Sequence, residues 1–222
     1  MYKLNLKKFV FFISFLAIMF LGVLWGVVAT ADEYVEGKNY RVLERPGIPS
    51  LPGKIEVQEF FWYGCPHCYQ LEGKISAWSK TLPADVNFIH TPAVAAPHWE
   101  LLASGYFAAE NLRVAKEAHA ALFDALHRER KRIATPEQLA AFYKDYGVEE
   151  AAFLAQINSF SVKTALRKAE QSFRQYGLTG VPAIIVNGKY QVLGHSFDEM
   201  LRVTEFLINK ERKAVVSATT AK

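Results

Sequence analysis

Cysteine is scarce in this sequence, in which only Cys65 and Cys68 occur among 222 residues. So small a number excludes a disulfide framework of the kind that stabilises small secreted domains, and it excludes a four-cysteine zinc site. The two cysteines are also too close in sequence to form a useful structural crosslink, because a bridge that closes a short loop constrains little of the unfolded chain. A redox-active Cys-x-x-Cys pair is therefore favoured over a structural disulfide or half of a metal site.

An excess of either charge is also lacking. The chain has 26 lysines and arginines against 22 aspartates and glutamates, and three of the basic residues but none of the acidic ones precede residue 32. The part after residue 31 is therefore close to neutral, which gives no electrostatic reason to expect nucleic-acid binding. The histidines outside the Cys-x-x-Cys segment show no metal-ligand spacing, so we predict no metal site and interpret them as structural or surface residues. They are His90, His98, His119, His127 and His195.

Long apolar runs are lacking except near the N-terminus. Residues 9–28 are uncharged and mostly hydrophobic, three lysines precede them, and Ala29-Thr30-Ala31 follows. This pattern predicts a signal peptide over residues 1–31, with an uncleaved membrane anchor as the alternative because the run is long enough to cross a bilayer. Either form predicts export of the remainder, and a cysteine pair in an exported protein fits an oxidising compartment. No cysteine directly follows the run, which excludes a bacterial lipoprotein anchor.

The cysteine pair lies at a predicted junction between a strand and a helix. Residues 55–62 have the composition of a buried strand, and the residues from Tyr69 to about Ser79 have apolar positions at helical spacing. Pro66 suits the first turn of such a helix, because its missing N–H would have no partner there. Cys65 then faces unpaired backbone N–H groups and the positive end of the helix dipole, which both favour its thiolate.

Four further side chains complete the predicted site. His67 is expected to favour the Cys65 thiolate, and Cys68, one turn later, is expected to be more buried and to act as the resolving sulfur. Glu59 shares a strand face with apolar residues, so we expect a buried carboxylate that exchanges protons with Cys68, with a solvent-exposed position at a sheet end as the alternative. Glu72 follows on the same helix as the cysteines, where we expect it to tune the local charge.

The rest of the chain divides into strand and helix patterns. Strands are predicted at about residues 40–43, 85–90, 180–186 and 189–192, the last two joined by the turn signal Asn187-Gly188. Helices are predicted at about residues 97–112, 114–127, 135–146, 149–159, 161–176 and 196–210. This order predicts an α/β fold in which an all-helical domain is inserted into a thioredoxin-like domain. The predicted boundaries are 32–96 and 177–213 for the thioredoxin-like domain, 97–176 for the insertion and 214–222 for a flexible tail.

Several segments also carry a family resemblance. They are Glu59-Phe60-Phe61, Cys65-Pro66-His67-Cys68, Tyr69-Gln70-Leu71-Glu72, Asn158-Ser159-Phe160, Gly180-Val181-Pro182-Ala183 and Val186-Asn187-Gly188-Lys189-Tyr190. Together they resemble the DsbA family of bacterial thiol:disulfide interchange proteins, in which the Pro-His dipeptide between the cysteines is characteristic. The resemblance implies a cis peptide bond at Val181–Pro182 that packs against the disulfide. It also implies that the backbone of Val181 pairs with a substrate peptide.

The resemblance further implies a function. A DsbA-like protein is expected to transfer the Cys65–Cys68 disulfide to unfolded exported polypeptides, with no other cofactor. A DsbB-like membrane quinone reductase would then reoxidise it. It is expected to act in the periplasm as a monomer, tethered to the inner membrane by residues 9–28 if the leader is retained. A reductase or isomerase of the same fold and a non-enzymatic peptide-binding chaperone are the alternatives, and the reduction potential separates an oxidase from a reductase.

Overall fold

The structure is a computed structural model that describes residues 34–220. Within this range it contains five β-strands: β1 Tyr40–Val42, β2 Ile55–Phe61, β3 Val86–Pro92, β4 Ala183–Val186 and β5 Tyr190–Val192. The same range contains seven α-helices: α1 Pro66–Ser79, α2 Glu100–Asn111, α3 Ala115–His127, α4 Pro136–Tyr143, α5 Glu150–Ile157, α6 Phe160–Gln175 and α7 Phe197–Thr220. Most of these elements lie where the sequence patterns predict them.

The predicted signal peptide, residues 1–31, lies outside the described residues. Between residues 34 and 220, no helix is both long enough and apolar enough to cross a membrane.

The strands form one mixed sheet in the order β1-β5-β4-β2-β3. Strand β2 lies inside this sheet, parallel to β3 and antiparallel to β4, and all seven of its residues are buried. The parallel register places Glu59 opposite His90 of β3, and the antiparallel register places Phe60 opposite Ala183 of β4. The central strand therefore brings residues of both neighbouring strands to the end from which the chain enters α1.

Helices cover both faces of the sheet. Alternate side chains of β2 point to opposite sides, so each side of this strand packs against different helices. On one side, Val57 packs in a cluster with Leu71 of α1 and Leu207 of α7. On the other side, Phe60 packs against Phe173 of α6, with ring centroids 6.0 Å apart. The sheet is thus a buried middle layer, and burial of these large side chains is the main force that holds the layers together.

The helical insertion lies between β3 and β4 in the chain and comprises α2 to α6. It has its own apolar core, which includes Leu122 of α3, Leu139 of α4 and Phe153 of α5. Phe61, at the end of β2, belongs to the same core, so the insertion packs directly against the strand that leads to the cysteines. The predicted fold class, a thioredoxin-like domain with an inserted helical domain, is confirmed.

Two boundaries differ from the sequence prediction. Strand β4 begins at Ala183 rather than at Gly180, because residues 180–182 form the loop that precedes it. Helix α7 continues to Thr220, so the prediction of a helix ending near Lys210 was wrong. The sequence after Ser196 contains no glycine or proline that would end the helix.

Candidate active site

Cys65 is the N-cap residue of α1, so its position follows from the local backbone. Its dihedral angles, φ −88° and ψ 117°, are those of extended chain, and Pro66 occupies the first helical turn. No side chain caps this end of the helix, and the backbone N–H groups of its first turn therefore remain available to a negatively charged sulfur. The predicted strand-to-helix junction is confirmed.

The two cysteines, both free thiols in this structure, have opposite acidities. The pKa of Cys65 falls to about 6, chiefly because the Cys68 thiol donates a hydrogen bond to its sulfur. Burial acts against this effect, while the backbone N–H groups of Cys68 and His67 and the charge of His67 add to it. The pKa of Cys68 rises well above its ordinary value because of the same hydrogen bond, because of burial, and because of the nearby charge of Glu59. Cys65 is therefore a thiolate at neutral pH while Cys68 keeps its proton.

The Val181–Pro182 loop faces the same sulfur. The Val181–Pro182 peptide bond is cis, as the family resemblance implies. The sulfur of Cys65 lies 3.5 Å from the carbonyl oxygen of Val181, within hydrogen-bonding distance for sulfur. Both loop residues are partly exposed, so a partly exposed backbone segment borders the Cys65 sulfur.

Glu59 and Glu72 both lie inside the protein, with 2% and 6% of their surface exposed. The alternative in which Glu59 reaches solvent at a sheet end is therefore wrong, because β2 is covered on both sides. Glu59 Oε2 is 2.8 Å from Nδ1 of His90, and Glu72 Oε2 is 3.2 Å from Nε2 of His119. Neither histidine was predicted to belong to this site.

The buried charges alter one another's acidity. For Glu72, burial acts to raise the pKa, but the contact with His119 and the charges of His119, His90 and Lys80 outweigh it and leave the pKa below its usual value. For His90, burial acts to lower the pKa, but the hydrogen bond to Glu59 and the surrounding carboxylates raise it above its usual value. The Glu72 carboxylate and the protonated form of His90 are therefore each stabilised by neighbouring groups of opposite charge.

Helix α3 of the insertion holds the loop between β2 and α1. Nδ1 of His119 and the hydroxyl of Tyr63 are hydrogen-bonded at 2.7 Å, and Nε2 of His127 lies 2.7 Å from the carbonyl oxygen of Tyr63. One turn into α1, the hydroxyl of Tyr69 donates a hydrogen bond of 2.8 Å to Asp124, and its ring stacks on His127. The insertion therefore fixes the segments on both sides of the cysteine pair.

Sequence reasoning missed these histidines for different reasons. The pairing of His90 with Glu59 follows from the parallel register of β2 and β3, so aligning the two predicted strands was the one available signal. His119 and His127 come from a helix of the insertion, and only the packing of that helix against the sheet brings them to the site. No spacing within the sequence indicates that contact.

Known proteins resemble both the sequence and the structure. Residues 89–203 match the family model described as DSBA-like thioredoxin domain. Thiol:disulfide interchange protein DsbA of Pseudomonas aeruginosa is 43% identical over 201 residues, which cover 89% of this chain and 95% of that protein. The protein of the same name from Azotobacter vinelandii is 41% identical over 181 residues, which cover 80% of this chain and 85% of that protein.

Solved structures agree with these matches. The crystal structure of Pseudomonas aeruginosa DsbA superposes with a TM-score of 0.79 at 43% identity, covering 83% of this chain and 98% of that one. The oxidoreductase DsbA from Xylella fastidiosa superposes with a TM-score of 0.79 at 38% identity, covering 81% and 98%. The chain therefore belongs to the DsbA family of thiol:disulfide oxidoreductases.

Proposed function

We propose that this protein is a dithiol oxidase that transfers the Cys65–Cys68 disulfide to newly exported polypeptides. The observation that carries the proposal is the opposite acidity of the two cysteines, with the pKa of Cys65 near 6 and that of Cys68 raised. A stabilised Cys65 thiolate favours the reduced protein, and a disulfide whose reduced form is stabilised is a strong oxidant.

The transfer has two exchange steps. In the first, a thiolate of the substrate attacks the sulfur of Cys65 and forms a mixed disulfide. The bond between Cys65 and Cys68 breaks, its electron pair goes to Cys68, and this sulfur takes up a proton because its pKa is high. In the second, another substrate thiolate attacks the substrate sulfur of the mixed disulfide, and Cys65 leaves as a thiolate. The substrate has then lost two electrons, which the reduced Cys65 and Cys68 carry.

Residues around the dithiol support these steps. The Val181 carbonyl, 3.5 Å from the Cys65 sulfur, borders the position that a substrate cysteine would occupy, so Val181 and Pro182 are assigned to substrate binding. Pro66 and His67 are assigned to tuning the dithiol, since the backbone N–H and the charge of His67 both favour the Cys65 thiolate. Glu59 and Glu72 are assigned to the same task from the buried side of the dithiol. The charge of Glu59 helps to keep Cys68 protonated.

The cellular setting follows from family membership and from the leader sequence. The protein would act in the periplasm as a monomer, on unfolded exported chains, and without a cofactor other than its own disulfide. A DsbB-like membrane quinone reductase would accept the two electrons and restore the disulfide.

The reduction potential tests the proposal. The protein is equilibrated in glutathione buffers of graded redox potential, and the fraction of disulfide is measured by mass spectrometry after alkylation. We expect a value near about −120 mV, the potential characteristic of DsbA, whereas a value near about −270 mV would mark a reductant and overturn the assignment.

Two variants distinguish an enzyme from a chaperone. In Cys68→Ser, the Cys65 thiolate should attack the disulfide of an oxidised model substrate, one substrate sulfur leaves as a thiolate, and the mixed disulfide should accumulate because the resolving sulfur is missing. Cys65→Ser should abolish oxidation of the same substrate in its reduced form. Assistance to refolding that survives unchanged in Cys65→Ser, together with no oxidation by the wild type, would support a peptide-binding chaperone instead.

A further inference from the structure

Two buried side chains and a partly buried one converge beneath the dithiol. Glu72 of α1, His90 of β3 and His119 of α3 each offer one ligand atom, and these atoms lie within 4.8 Å of one another. Glu72 is 6% exposed, His119 is 5% exposed, and His90 is partly buried. They come from three separate elements, which explains why the spacing of histidines in the sequence gave no metal signal.

Two of the ligand atoms lack the hydrogen bonds that buried polar atoms usually have. Within residues 34–220, Glu72 Oε2 and His119 Nε2 form an ion-pair contact of 3.2 Å with each other but make no well-directed hydrogen bond. Buried polar atoms are almost always hydrogen-bonded, so this pair calls for an explanation. A ligand between them would satisfy both.

The other nitrogen of each histidine is already engaged. His90 Nδ1 lies 2.8 Å from Glu59 Oε2, and His119 Nδ1 lies 2.7 Å from the hydroxyl of Tyr63. In each ring, Nε2 is therefore the nitrogen that is left to bind a metal. Metal-binding histidines usually have this arrangement, in which the second ring nitrogen is held by a carboxylate or another polar group that orients the ring.

The types of ligand and the separation of Glu72 and His119 suit zinc. Two imidazoles and one carboxylate form the ligand set of known three-residue zinc sites, and tetrahedral ligands at about 2.0–2.1 Å from zinc lie roughly 3.3 Å from each other. The 3.2 Å between Glu72 and His119 is close to that separation. We propose that Glu72, His90 and His119 form a Zn²⁺ site beneath the dithiol, with Glu59 and Tyr63 as the groups that orient the two histidines.

The charge of the cluster is consistent with a dication. Glu59 and Glu72 bring two carboxylates to a buried region. Burial of uncompensated charge is costly, so the cluster must contain either added protons or a cation. A Zn²⁺ ion would balance both carboxylates while leaving the histidines neutral, which is the form that binds metals.

Zinc titration of the oxidised protein tests this site. The Cys65–Cys68 disulfide is formed first, so that cysteine thiolates cannot bind the metal, and Zn²⁺ is added in a calorimeter. We expect one Zn²⁺ per chain. Glu72→Gln and His119→Gln should each weaken binding by at least about tenfold. Tyr63→Phe, which removes only the orienting hydroxyl, should weaken it by about tenfold to a hundredfold. His195→Gln, at an exposed histidine outside the cluster, should bind as the wild type does.

Co²⁺ provides a second measurement on the same proteins. Its visible absorption should show four-coordinate nitrogen and oxygen ligation in the wild type and in His195→Gln, and should lose that signature in Glu72→Gln. Circular dichroism identifies any variant that fails to fold, and Tyr63→Phe then carries the comparison. Absence of zinc binding to the oxidised wild type would overturn the proposal, as would unchanged affinity in folded Glu72→Gln or His119→Gln. Neither measurement depends on oxidase activity, so the site and the proposed function fail separately.

Discussion

At the scale of single residues, the acidity of Cys65 depends on atoms that the sequence places next to it. The N-cap position, Pro66 and the pair of cysteines are all contained in one short motif, so the low pKa of Cys65 was predictable. Glu59 was also predictable as a buried carboxylate, because strand alternation puts it on an apolar face. His119, which contacts Glu72, was not, since it reaches the site only through tertiary packing.

His67 acts on Cys65 through two separable groups, its charge and its backbone N–H. His67→Ala removes the charge, whereas His67→Pro removes the charge and the N–H together. We therefore expect both variants to raise the pKa of Cys65, and His67→Pro to raise it more. Titration of the thiolate by ultraviolet absorbance measures this, with Cys65→Ser as the blank. An unchanged pKa in both variants would show that His67 has no part in tuning the dithiol.

At the scale of elements, local sequence signals predicted a turn well where few residue types can adopt the backbone conformation that the turn requires. Asn187 and Gly188 both have positive φ, as a type I′ hairpin turn requires, and the Asn-Gly signal placed this turn correctly. The end of α7 was not predictable in the same way, because its sequence contains no stop signal and helix propensity alone does not fix a boundary. Register between strands that are distant in sequence, such as β2 and β4, depends on packing of their buried faces.

Glycine is required at position 188 for two reasons: its φ is positive, and the neighbouring backbone leaves no room for a side chain. A Cβ at Gly188 would lie 2.5 Å from the carbonyl oxygen of Gly47, whereas a Cβ at Gly53, which also has positive φ, would meet nothing within 4 Å. Gly53→Ala should therefore cost only the left-handed conformation, about 1–2 kcal/mol. Gly188→Ala should cost about 1–3 kcal/mol more because of the clash. Urea denaturation of both variants in the same redox state measures the difference, and equal losses would argue against the clash.

At the scale of the whole molecule, the site is assembled by the contact between the two parts of the fold. The sheet and α1 supply the cysteines, Glu59 and Glu72, and the insertion supplies His119 and His127. The sequence predicts each part through its periodicity and its turn signals. It does not predict which face of α3 meets the loop after β2, because that depends on how two separately buried cores fit together. The chemistry of the dithiol is therefore local, while its buried surroundings are a property of the complete fold.

The stability of the whole protein should depend on pH differently in its two redox states. In the reduced form, folding lowers the pKa of Cys65 from an ordinary value of 9.0 to about 6, so between these values the unfolded chain binds a proton that the folded protein does not. Stability then rises with pH, by at most about 1.4 kcal/mol per pH unit for one proton. The gain is complete above about pH 9 and is lost as the pH falls through 6. The raised pKa of Cys68 opposes this gain only at the top of the window, because in the unfolded chain that thiol ionises near its ordinary value of 9.0 whereas in the folded protein it stays protonated.

The oxidised form has no thiol at either position, so its stability lacks this contribution, while all other titrating groups are shared. The free energy of unfolding of the reduced form minus that of the oxidised form should therefore increase from about pH 6 towards pH 9. Urea denaturation of both forms across this range measures the difference. Below about pH 8, reduced Cys65→Ser should follow the pH profile of the oxidised protein, because it cannot form the Cys65 thiolate and its Cys68 thiol is still protonated in the unfolded chain. Parallel profiles for the reduced and oxidised wild type would show that folding does not stabilise the Cys65 thiolate, and the physical basis for a strong oxidant would be lost.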